Sequence, residues 1–89
     1  AQAVYWYGKA AMQGHAIAQR NLGLSYQNGA GTEINRPLAL AWFAILADRG
    51  NVMDIRRKES LTSELGVEEI NQAERLKADL ADRIQAATR

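Results

Sequence analysis

The chain has 89 residues, no Cys, one Pro and a formal net charge of +1. Those values exclude a disulfide framework or a thiolate metal site. They also argue against a nucleic-acid binder, which carries a strong basic excess on one face. Ala, Leu, Gln, Glu, Lys and Arg dominate and Val and Thr are scarce, a mix that favours helix over sheet.

The first pattern is helical. Ala3, Trp6, Tyr7, Ala10 and Ala11 recur at the spacing of one helix face. Gly14 ends it, since Gly takes the left-handed cap without a Cβ penalty. The next helix runs from His15 to Asn28 and places Ala18, Leu22 and Tyr26 four apart. Gly23 inside it should cost about 1 kcal/mol relative to Ala. The offset we expect is close approach of a neighbouring helix under an aromatic ring. Asn28 to Asn35 is a loop by composition.

Asn35 is a good N-cap and Pro37 suits a first turn, so a third helix is predicted from Arg36 to Arg49, ending at Gly50. A fourth spans about Val52 to Glu64, and Gly66 breaks the chain. The fifth, from about Val67 to Ala87, sets Ile70, Ala73, Leu76, Leu80 and Ile84 on one face. Glu68 and Glu69 fall in its first turn, where the helix dipole favours acids. Asp79 and Arg83 form an i,i+4 pair on its outer side. No apolar run approaches the roughly 20 residues that span a bilayer. Charge is spread: residues 1–50 carry four basic and two acidic groups, residues 51–89 seven and eight. Neither half is a charge tail.

The chain also repeats itself. A shift of 36 positions lays Ala3 on Ala39, Trp6 on Trp42, Tyr7 on Phe43, Ala10 on Leu46, Ala11 on Ala47 and Gly14 on Gly50. A period in the thirties is that of helix-turn-helix solenoids, so the expected fold is all-α, an α-α superhelix of about five helices. The repeat then decays. Leu22 meets Lys58, Gly23 meets Glu59 and Tyr26 meets Thr62. Solenoids end by such exchange of apolar residues for polar ones, so residues 3–50 read as repeat units and 51–89 as divergent capping helices.

Residues 3–31 resemble the Sel-one-like repeat family, a relative of the tetratricopeptide repeat. The pattern is carried by Ala3, Trp6, Tyr7, Lys9, Ala10, Ala11, Gln13, Gly14, Ala16, Ala18, Gln19, Leu22, Gly23, Tyr26, Gly29 and Gly31. Thr32 departs from it, where Val is usual. The likeness is closest over 3–31, weaker over Leu38 to Gly50, and weaker again over 51–89, which look like the C-terminal end of bacterial members. Ala1 stands inside a helical pattern and is not Met, so the sequence reads as a piece of a longer protein. The resemblance implies right-handed stacking of helix pairs and a non-catalytic scaffold or adaptor role with a protein or peptide partner. It favours a periplasmic or exported setting, while the sequence itself assigns no compartment. The alternatives are a purely structural C-terminal cap and an accessory domain of a larger enzyme or regulator.

Candidate chemistry is sparse. His15 is the sole His and has no partner for a metal or a catalytic role, so it reads as a solvent-facing turn residue. Glu68 and Glu69 are adjacent on a helix and cannot share one substrate atom. The triplet Arg56, Arg57 and Lys58 spreads around its helix as a solvated face. Trp6, Tyr7, Tyr26, Trp42 and Phe43 have the spacing and register of core aromatics. No catalytic, metal or cofactor site is expected, and no nucleic-acid partner or membrane insertion. The candidate is a partner-binding groove. If Leu22, Gly23 and Tyr26 face the core, Ile17, Arg20, Leu24 and Gln27 face outward, and Met53, Arg56, Ser60 and Ser63 are their equivalents 36 residues on. An apolar residue followed by Arg recurs in both sets, which suits an acidic group or a C-terminal carboxylate.

Overall fold

Glycines and asparagines mark several of the helix boundaries. The computed structural model describes residues 2–88, with side chains from Val4 to Thr88. The repeat position Ala3 has its side chain outside that range. The described residues form five α-helices and no strand. They are α1 (Gln2–Met12), α2 (Ala16–Asn28), α3 (Arg36–Ala47), α4 (Val52–Glu64) and α5 (Val67–Ala87).

Gly14, Asn35 and Gly50 act at helix ends as the sequence leads one to expect, and Asn51 adds an N-cap beyond those expected. Gly14 and Gly50 close α1 and α3 at φ 88° and 89°. Asn35 accepts the Leu38 N–H at 3.2 Å, with Pro37 in the first turn of α3. Asn51 accepts both the Met53 and the Asp54 N–H at the start of α4. α3 stops at Ala47, two residues before Arg49, because the last turn tightens onto Gly50. His15 is the N-cap of α2, exposed and without a side-chain cap bond.

α3 is the centre. It packs against α2, α4 and α5, and Ala39 to Ala44 and Leu46 are all buried. A helix apolar on every side belongs inside. Phe43 lies against Gly23 of α2, so closely that a Cβ on Gly23 would sit 2.6 Å from the ring. The expected close approach is thus made by the partner aromatic of the same helix pair. Gln19 of α2, fully buried, donates to the Ala11 carbonyl at 3.1 Å and ties α2 to the end of α1. Arg49 donates to the Gly14 carbonyl at 2.7 Å and joins the two equivalent turns.

α5 leaves the regular stack. It packs mainly along α3 and reaches α1. Ile70 and Ala73 join Leu40, Phe43 and Leu61, while Leu76, Leu80 and Ile84 join Ala11, Leu22 and Trp42. The expected apolar face is therefore used, divided between two clusters. Lys77 holds Asp48 at 2.7 Å, pinning α5 to the end of α3. Asp79 and Arg83 pair at 3.1 Å. The described residues have a radius of gyration of 12.0 Å, because α5 folds across its neighbours instead of extending the row.

One expectation is corrected. Trp42 and Phe43 are 2 % and 0 % exposed, and Tyr7 and Tyr26 are half-buried, but Trp6 is 62 % exposed. Trp42 is enclosed by Ala11, Ala18, Leu22 and Leu80 from three other helices. α1 packs chiefly against α2, with a smaller contact to α5, and neither covers Trp6. Beside it, Tyr5 packs edge-on at 5.4 Å and Lys9 lies over both rings.

Candidate functional site

The outward sides of α2 and α4 carry the predicted groove residues. On α2, Ile17 is 71 % exposed, while Arg20, Leu24 and Gln27 are half-buried. On α4, Met53 is 54 % exposed and Arg56, Ser60 and Ser63 are exposed. Ser63 donates its hydroxyl to the Ser60 carbonyl at 2.7 Å. Leu24 borders a shallow depression with Tyr7, Asn21 and the 28–31 loop and also packs on the core cluster around Leu40, Phe43 and Leu61, so it faces outward only in part.

Arg20 changes meaning in the structure. Its Nε donates to Asp54 Oδ1 at 2.8 Å and its Nη2 to Oδ2 at 2.6 Å. This is a fork-on-carboxylate pair between α2 and α4, the geometry in which Arg binds acids most strongly. The reading of Arg20 as an open receptor for a partner's carboxylate is corrected, because the chain supplies the carboxylate itself. Arg57 adds a longer contact to Oδ1 at 3.4 Å. Arg56, at the equivalent position of the next unit, has no ion-pair partner among the described residues.

Asp54 is the partner of Arg20 that sequence reasoning missed. It is 1 % exposed. The Arg20 fork holds its carboxyl below the ordinary carboxylate range, against the desolvation that would raise it, and Arg57 adds to the lowering. The same hydrogen bonds raise the Arg20 guanidinium above its ordinary value. Asp54 also stands in the first turn of α4, where the helix dipole favours an anion. A signal was present: an acid three residues after the N-cap Asn51, with Arg20 one repeat earlier less two residues. Only the pairing of the two helices makes it legible.

The other candidates stay ordinary. Glu69 accepts the Gly66 N–H at 3.5 Å as a helix-start contact, and Glu68 is exposed. Of the basic triplet, Arg56 is exposed, Arg57 leans on Asp54 and Lys58 borders a cleft beneath α4. Among the described residues no three His, Cys, Asp or Glu gather to hold a metal ion. No helix there is long and apolar enough to cross a membrane.

The chain's comparison with known families agrees with this geometry. Residues 1–15 and 16–51 match the family model of the Sel1 repeat. The division falls between α1 and α2, so the second matched unit is the α2–α3 pair with its turns. No curated protein matches the chain.

Proposed function

The chain belongs to the Sel1 repeat family, and from that premise we propose that it is a scaffold module that grips a protein or peptide through the outward face of α2 and α4. Sel1 repeats are tetratricopeptide-like helical repeats that commonly mediate protein–protein interaction, and the family is non-catalytic. The reading on this chain rests on one observation. Ile17 and Met53 stand at equivalent positions on α2 and α4, both more than half exposed, while the Arg20–Asp54 pair locks the two helices together.

Exposed aliphatic side chains beside a fixed ion pair make an apolar contact strip with a rigid base. Arg56 supplies the free cation, so an apolar segment with an acidic residue fits the strip. Arg20 is the strut of this surface and Asp54 its anchor. In the same reading residues 51–89 close the stack, with α5 lying across α3 and its charged side outward.

The test is site-specific photo-crosslinking in the cells that make the protein. A crosslinker at position 17 or 53 should capture a common partner, and one at exposed Asp82 on α5 should not. The double substitution Ile17→Asp, Met53→Asp should abolish capture from position 56. Equal capture from position 82, or capture that survives the double substitution, would sink the reading.

A further inference from the structure

On the opposite side of α4, a cleft of about 210 Å³ lies between α3, α4 and α5. Leu40, Ala44, Ile70 and Ala73 form its apolar floor, with Lys58 and Thr62 on the α4 rim. This is room for one side chain, below the range of about 300 Å³ and upward that holds small-molecule ligands.

The internal repeat explains the cleft. In the first unit Val4, Gly8, Leu22 and Tyr26 border one depression. Thirty-six residues on, the same four positions are Leu40, Ala44, Lys58 and Thr62, and all four border the cleft. Where the first unit brings an aromatic ring and a leucine to the wall, the second brings a hydroxyl and an ammonium. The Thr62 hydroxyl is turned to the Lys58 carbonyl at 2.6 Å, so it leaves the floor bare.

The charges at the mouth are unequal in availability. Lys77 is already engaged by Asp48 at 2.7 Å, and Glu74 stands on the α5 side. Lys58 is half-exposed and has no acidic partner among the described residues. We propose that this cleft is a second binding site, which takes an aromatic side chain of a partner peptide whose neighbouring carboxylate pairs with Lys58. The aromatic ring replaces the repeat tyrosine that the chain has lost, and the carboxylate answers the cation that has replaced the leucine. Lys58 and Thr62 lie on the side of α4 away from Met53 and Ser60, since their spacing turns them by half a circle. The site therefore stands or falls independently of the α2–α4 face.

The probe is a fluorescently labelled peptide with one Phe between two Asp, titrated into the protein and followed by polarisation. Binding should shift the backbone amide resonances of Leu40, Ala44 and Ala73. Replacing the peptide Phe by Ala should weaken it at least about tenfold. Thr62→Tyr, which returns the repeat's own ring to the wall, should weaken it as much and raise the melting temperature. Lys58→Glu should weaken it similarly and leaves the floor intact, so it decides the matter alone should Thr62→Tyr not fold. A wild-type protein that does not bind the probe, or binding indifferent to Lys58→Glu, overturns the proposal.

Discussion

Trp6 and Trp42 occupy one position of the repeat, yet Trp6 is 62 % exposed and Trp42 is 2 % exposed. The two helices around them share the same Trp–aromatic pair and the same closing glycine. What differs is company. Trp42 is met by side chains from α1, α2 and α5, while no described helix covers the side of α1 that carries Trp6. A repeat motif sets which face of a helix can be buried, and the neighbours decide whether it is. The same lesson holds between α2 and α4. Tyr26 and Leu22 reach the core clusters, and their equivalents Thr62 and Lys58 line a cleft.

The comparison can be broken at its strongest point first. Trp42→Ala should cost about 3–5 kcal/mol of stability, read from urea denaturation, because it empties a site packed from three sides. A loss below about 1 kcal/mol would mean that Trp42 is no better enclosed than a surface residue. Next in size is the pair that binds α2 to α4. Asp54→Ala should cost about 2–3 kcal/mol, since it strands a half-buried guanidinium. The effect should disappear in large part when Arg20 is removed as well, which a double-mutant cycle will show.

That pair also gives a pH signature. The folded Asp54 carboxyl is held below its ordinary value by Arg20. As the pH falls, the unfolded chain therefore takes up the proton first. The stabilisation is complete above the unfolded value of about 3.9 and is lost as the pH drops through it and on through the lower folded value. Asp54→Asn should flatten this acid limb of the stability curve, and an unchanged limb would place the titration elsewhere.

Gly23→Ala comes third. The added Cβ would meet the Phe43 ring at 2.6 Å, and overpacking of this kind costs about 1–3 kcal/mol. Phe43→Leu in the same chain should recover part of the loss by freeing the space. The smallest effect is expected at Trp6. Trp6→Ala should cost no more than about 1 kcal/mol, the sum of an exposed edge contact to Tyr5 and the Lys9 cation–π contact. A larger loss would show that α1 relies on Trp6 in a way that its exposure hides.

Much of the candidate surface could be read beforehand as position and little of it as chemistry. Ile17, Met53, Arg56, Ser60 and Ser63 are exposed, as the helical register requires once Leu22 and Leu61 point inward. Leu24 is half-buried because it packs on the core cluster around Phe43 and Leu61 as well as beside the 28–31 loop, and Gln27 is half-buried too. The partner of Arg20 lies 34 residues away in sequence, and no local rule names it. The shallow cleft beneath α4 was likewise invisible, since it depends on the path of α5.

By itself the sequence determined the five helices and most of their ends, α3 stopping at Ala47 and not at the expected Arg49. Gly14, Gly50 and Asn35 act through backbone conformation and capping bonds within a few residues, so local rules suffice for them. It also announced that Gly23 needs a close neighbour, because a glycine inside a helix must be offset by contact. The tertiary structure alone decided which aromatic is buried, that Arg20 is answered by Asp54, and that α5 turns back across α3 to α1. Those outcomes depend on which helices lie side by side, and burial and ion pairing are properties of that arrangement and of no single segment.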